Sequence, residues 1–249
     1  MRHPEIDFRK DHYWHIRNFN ASSRLPRSTF SHAVNRVREA KTLSYIPGNW
    51  GKEVHYQLAD KFCSGREGHC FGMSVAAVKA WHEKGNTSSA RIPAELTRVQ
   101  ELNPKIKEEI LALHLKQLEL DYLSYVLRLF SKRQLFASPR ALEHIVEIID
   151  REGCALVNVV DVKKLSGHTV VAYDYRKDRT NGDYIIYIAD SNHPWMPGEG
   201  EHSSRSSRHP SYIRLLTHGD GRKKAGLYYR NRCEGRYDVV FGVPYQYIR

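Results

Sequence analysis

The sequence predicts an α+β fold, a helical half followed by an antiparallel sheet. Three observations carry that expectation. Between residues 104 and 149 apolar residues recur at three- and four-residue steps, the period that lines one face of a helix. From residue 154 onward the pattern changes to short runs rich in Val, Ile and Tyr, which read as buried strands. Two of those runs, 169–175 and 183–189, are separated by polar turn material, so they pair as a hairpin. Helices gathered first and strands later describe α+β rather than an alternating α/β chain. The 249 residues, 41% of them apolar, are enough to bury a substantial core.

Residues 1–50 have poor periodicity and many basic and aromatic residues, so they read as a basic N-terminal arm. One helix is expected in it, near Thr29 to Lys41, with Ser28 or Thr29 as cap, and Pro47-Gly48-Asn49 marks a turn. Residues 51–249 form the main domain, with a helical lobe over about 51–152 and a sheet lobe over about 153–249. Residues 53–61 are read as a short helix or an irregular approach to a Gly65–Gly68 turn. That turn feeds a helix running from Cys70 to Trp81. Its small residues Ser74, Ala76, Ala77 and Ala80 suit close packing on most sides, and Gly85-Asn86 is expected to end it.

A long helix is expected over 104–130, with Leu111, Leu115, Leu118, Tyr122, Val126 and Leu129 along one face. Ser138-Pro139 opens another. Serine suits the cap and proline the first helical position, where a missing N–H costs nothing. Leu142, Ile145, Val146 and Ile149 form its apolar face and Gly153 follows its end. The expected strands are 154–160, 169–175, 183–189 and 237–243. The Gly-, Ser-, His- and Arg-rich stretch 197–211 reads as a long exposed loop.

The net charge of +11 is unevenly placed. Residues 1–50 hold nine Lys/Arg against four Asp/Glu, residues 201–236 hold nine against three, and the remainder is balanced. The two basic segments read either as solvated surface or as attraction to an acidic partner. No nucleic-acid motif accompanies the charge, so nucleic acid is not the favoured partner. Four cysteines, Cys63, Cys70, Cys154 and Cys233, are too few for a disulfide scaffold. No Cys-x-x-Cys pair or His-Glu-x-x-His spacing occurs, so neither a metal nor another cofactor is expected. No apolar run reaches about 18 residues, and no secretory signal pattern opens the chain. The expected location is cytoplasmic, or exported without such a signal.

Cys70 stands where turn becomes helix. The unpaired N–H groups and positive dipole end of a helix favour the thiolate, the nucleophilic form. His168, after Ser166-Gly167 at the start of a strand, is the candidate base. Asp190-Ser191-Asn192 follows the return strand of the hairpin. A hairpin brings the end of its second strand beside the start of its first, so Asp190, and nearly Asn192, should lie next to His168. A base so flanked gains an orienter on its far ring nitrogen.

These blocks, Gly68-His69-Cys70-Phe71-Gly72-Met73-Ser74, Gly167-His168-Thr169-Val170-Val171-Ala172-Tyr173 and Ala189-Asp190-Ser191-Asn192-His193-Pro194, resemble the papain-like cysteine protease fold. The resemblance spans roughly residues 60–245. It is nearest to divergent bacterial members, effector- and toxin-like, in which a Cys-x-Gly-Met helix and an Asp-x-Asn-x-Pro turn recur. It implies a papain-like fold with Cys70 as nucleophile, His168 as general base and acid, and Asp190 as orienting residue. The family's Cys-Gly-Ser/Ala-Cys-Trp/Tyr signature is absent. Ser64 stands where the family's oxyanion glutamine would be, six residues before the nucleophile. Gln57 is the candidate to replace that glutamine, Asn192 a further candidate for orienting or oxyanion contact, and the Cys70 N–H a backbone donor.

The function expected on that resemblance is a thiol hydrolase acting on a protein substrate, one with an acidic face, through a Cys70 thioester. Glutamine deamidation and transglutamination share the first half-reaction and stay open. So does a catalytically inactive basic binding module.

Overall fold

The computed structural model describes residues 13–14, 68–83, 104–132, 134–164, 166–178, 182–194, 211–217 and 221–249. The expected helix at 29–41, the stretch 53–61, the helix end at Gly85-Asn86 and the expected loop residues 197–210 lie outside them. The fold is α+β. Among the described residues it has helices α1 (Cys70–His82), α2 (Pro104–Leu115), α3 (Leu120–Ser131) and α4 (Pro139–Glu152). Seven strands follow: β1 (Ala155–Asp161), β2 (Ser166–Lys177), β3 (Tyr184–Ala189), β4 (Ser211–Thr217), β5 (Lys223–Tyr229), β6 (Arg232–Tyr237) and β7 (Val239–Val243).

All seven strands belong to one antiparallel sheet, in the order β6-β5-β4-β3-β2-β1-β7. β6 and β7 sit at opposite edges yet are joined through Asp238 alone. The chain can step across only because the sheet curls into a half-barrel. Asp238 fastens the step, its N–H donating to the Val160 carbonyl and its carbonyl accepting from the Ala137 N–H. The expected strand at 237–243 is therefore corrected: Tyr237 ends β6, and the chain bends at Asp238 before β7 starts.

The central strands are buried on both faces, which is why they read as continuous apolar runs. Leu156 and Val171 face one core, shared with α1 and with Phe71, Met73, Val75, Leu129 and Phe241. Their neighbours Ala155, Val157, Val170 and Ala172 face a second, with α4 and with Ile186, Ile188, Ile213 and Leu227. Tyr13 and Trp14, from the 1–50 segment, lie in the first core and are buried.

α4 follows its local signals. The Ser138 hydroxyl accepts from the Ala141 N–H at 3.2 Å, Pro139 stands in the first turn, and Gly153 takes a left-handed φ of 82° just past the end. Leu142, Ile145, Val146 and Ile149 are all buried. The expected single helix over 104–130 is broken instead. A 3-10 turn (Lys116–Leu118) and the extended Glu119 separate α2 from α3. The break lets the two halves face different neighbours. α2 lies against α1, whereas Tyr125 of α3 donates to the Gly242 carbonyl of β7 at 2.8 Å. Lys116 steadies the corner between the Glu119 carboxylate and the Arg249 carbonyl. Leu111, Leu115, Tyr122 and Leu129 are buried as expected, and Val126 is partly so.

Candidate active site

The site is built where the start of α1 meets β2. α1 is buried on nearly every side, Cys70 through Val75 together with Ala77 and Val78, as its small residues suggested. Gly72 allows the closest approach. A Cβ there would stand 2.1 Å from the Ile110 carbonyl oxygen of α2. On the opposite side Ser74, one turn beyond Cys70, donates to the Thr169 carbonyl of β2 at 3.1 Å. That bond fixes the register of helix on strand and brings the first residue of α1 against His168, the neighbour of Thr169.

Cys70, His168 and Asp190 converge, and Asn192 joins them. All three members of the triad are buried. β2 and β3 pair with Val171 opposite Ala189, so the turn after Ala189 folds back over the start of β2. His168 Nε2 donates to Asp190 Oδ1 at 2.6 Å. The same oxygen accepts from the Asn192 N–H at 2.8 Å, and the Asn192 side-chain amide lies 3.4 Å from His168 Nε2. With Nε2 committed to this cluster, Nδ1 is the ring nitrogen left for the hydrogen bond between His168 and the Cys70 thiol.

The charges follow from the burial and the contacts. Burial pushes the Cys70 thiol up, but the neighbouring imidazolium, its hydrogen bond and the Thr169 N–H outweigh it and hold the thiol below its ordinary value. Burial pulls His168 down, and the Asp190 carboxylate and the Cys70 thiolate reverse that, leaving it well above the usual histidine range. Burial raises Asp190, but His168 and the Asn192 N–H hold it below the usual carboxylate value. All three directions favour a thiolate–imidazolium pair backed by an ionised carboxylate. A buried cysteine without a partner would be protonated and inert.

The Asp190 turn is anchored at its other end. The His193 N–H donates to the Asp190 carbonyl at 3.0 Å. The His193 ring bonds Glu234 at 2.5 Å and stacks on Tyr229 with 3.9 Å between centroids. Tyr237 lies near the triad from the β6 side. Burial, then the charges of Asp190 and Cys70, push its hydroxyl up to about 12.

Of the residues expected from sequence, Asn192 takes an orienting place on His168 and Asp190. Gln57, Ser64 and Cys63 lie outside the described residues. The first-turn N–H groups of α1, Cys70 included, have no acceptor within the helix. Sequence reasoning missed Tyr13 and Ser74. Ser74 could have been found, one turn from Cys70 on the same helix; nothing in the sequence around Tyr13 marks it. Cys154 is buried and Cys233 exposed. Among the described residues no group of three or more His, Cys, Asp and Glu side chains is arranged to hold a metal ion, and no helix is long and apolar enough to cross a membrane. No protein-family model, no curated protein and no solved structure matches the chain.

Proposed function

We propose that the protein is a thiol hydrolase of papain-like type that acts on a protein substrate through a Cys70 thioester. One observation carries the reading: a buried histidine is held by a carboxylate at 2.6 Å on one nitrogen while its ring also bonds a cysteine at a helix start. Cysteine, base and orienter in this relation are the parts nucleophilic catalysis needs. The helices-then-half-barrel order of the fold supports the papain-like assignment.

The Cys70 thiolate attacks the carbonyl carbon of an amide. The developing oxyanion faces the N–H groups of the first turn of α1 and its positive dipole end. The imidazolium of His168 gives its proton to the leaving nitrogen as the C–N bond breaks, which leaves a thioester and a neutral imidazole. The imidazole then takes a proton from water as the hydroxide adds to the thioester, and the acid departs as the thiolate re-forms. Asp190 stays ionised throughout and holds the Nε2–H. A peptide bond, an isopeptide bond or a glutamine carboxamide satisfies the first step equally. An acidic face on the protein substrate would complement the basic segments at 1–50 and 201–236.

The test incubates wild type and Cys70→Ala with a mixture of peptides and analyses the products by mass. Fragments that depend on Cys70 establish proteolysis. A gain of about 1 Da on an intact chain establishes glutamine deamidation by the same thioester route. Products that persist in Cys70→Ala, or no difference between the two proteins together with slow, equal alkylation of every cysteine, overturn the enzyme reading and favour a binding module.

A further inference from the structure

A buried titratable group near the triad that the mechanism does not use is Tyr13. It belongs to a segment far from the site in sequence, yet it is 2% exposed, and its hydroxyl lies 3.2 Å from Ser74 Oγ. The direction of that bond can be deduced. The Ser74 hydroxyl has one hydrogen, and it points to the Thr169 carbonyl, which can only accept. Tyr13 must therefore donate to Ser74. The next residue, Trp14, is also 2% exposed and donates its indole N–H to the Met73 carbonyl of α1 at 2.7 Å.

The polar groups form one directed chain, from Tyr13 to Ser74 to the Thr169 carbonyl. Ser74 lies one turn from Cys70 and Thr169 adjoins His168, so Tyr13 stands where the nucleophile helix meets β2. The charges of Asp190 and Cys70 also act on its hydroxyl.

We propose that Tyr13 is a positioning residue, tying the N-terminal segment to the nucleophile helix where that helix is bonded to the strand that carries His168. The inference rests on the thiol-hydrolase reading. It changes the role of the N-terminal segment: around Tyr13 and Trp14 it is a permanent part of the catalytic core, where an inhibitory arm would have to leave for activity to appear.

The test alkylates the full chain with iodoacetamide across a range of pH and follows each cysteine by mass. At a pH of about 5.5 an ordinary thiol is only about 0.1% thiolate, so rapid labelling reports a thiol with stabilised charge. Wild-type Cys70 should label fastest there. Tyr13→Phe keeps the ring and removes the hydroxyl. It should retain the unfolding midpoint within a few degrees, slow Cys70 labelling about tenfold and move its pH profile upward. A variant that only loosened packing would lower the midpoint without moving the profile. Ser74→Ala supplies the second arm, because alanine favours the helix and the variant should fold even where Tyr13→Phe does not. It should show the same upward move. Fast wild-type labelling with unchanged profiles in both variants overturns the role of Tyr13 and leaves the triad standing. Slow wild-type Cys70 labelling removes the triad reading itself.

Discussion

Replacing Gly72 with alanine sets two effects of opposite sign against each other. Alanine in a helix interior is favoured over glycine by about 1 kcal/mol, so propensity alone expects a more stable protein. The packing says otherwise. The new Cβ would meet the Ile110 carbonyl oxygen at 2.1 Å and the His114 Cβ and N at 3.0 Å. Carbon and oxygen in contact sit at about 3.3 Å or more, so α1 and α2 must separate by more than about 1 Å. Ile110 is backbone here and cannot swing aside as a side-chain tip would. Overpacking of this kind costs about 1–3 kcal/mol, with the upper part of the range apt where backbone meets backbone. The net expectation is a loss of about 1–2 kcal/mol, read as a lower midpoint in urea with the slope unchanged. Because α1 also carries Cys70, the shift should slow Cys70 alkylation at mildly acidic pH. A midpoint equal to or above wild type would refute the helix–helix contact, and with it the account of how α1 is placed.

Asp190→Asn replaces the charged acceptor of the 2.6 Å bond to His168 with a neutral amide. A hydrogen bond to a charged group contributes about 1.5–3 kcal/mol, so Cys70 alkylation at a pH of about 5.5 should fall roughly 10- to 100-fold, and a wild-type rate would refute the orienting role. The same variant has a pH signature in stability. Asp190 is held low in the fold, so its contribution is present above its unfolded value and lost as pH falls through the folded one; His168 is held high, so its contribution is present below its unfolded value and lost as pH rises through the folded one. The stability difference between wild type and variant should therefore peak between pH of about 4 and 6.5, and a difference flat across pH would contradict it. Ser138→Ala removes the cap of α4 and should cost about 1 kcal/mol by urea unfolding, with Cys70 labelling unchanged because the cap lies outside the site.

What could be read from the sequence was what is decided locally. The ends of α4 were visible because Ser138-Pro139 and Gly153 act on their own backbone. The convergence of His168 and Asp190 was visible because a hairpin determines which ends meet. The break at Glu119 was not, because no proline, glycine or short capping side chain announces it; it is imposed by two different packing partners. β4 was passed over although Ile213 and Leu215 alternate with Tyr212 and Arg214 as a half-buried strand should. β5 and β6 carry Lys223, Lys224, Gly226, Arg232 and Gly235, which local propensity disfavours, and only pairing in the curled sheet makes them strands. Tyr13 was illegible for a stronger reason: its role depends wholly on contacts with residues more than 50 positions away.

The triad is also where the fold gives up stability. The favoured charges of Cys70, His168 and Asp190 would together be net negative at a buried site, and burying charge is costly even when it is paired. The hydrogen bonds do not fully offset it. Asp190 Oδ1 accepts two, whereas Oδ2 is buried and has no hydrogen-bond partner among the described residues. A core selected for stability alone would carry an apolar residue there, or a neutral acid. The imbalance has a chemical consequence. With one oxygen satisfied and the carboxylate held below its usual value, the favourable place for a positive charge in this pocket is the His168 ring. On the thiol-hydrolase reading we propose, a protonated ring would both stabilise the attacking thiolate and supply the proton for the leaving group, so that the cost of the buried charge and the proposed reactivity of Cys70 would have one cause, the carboxylate behind the histidine.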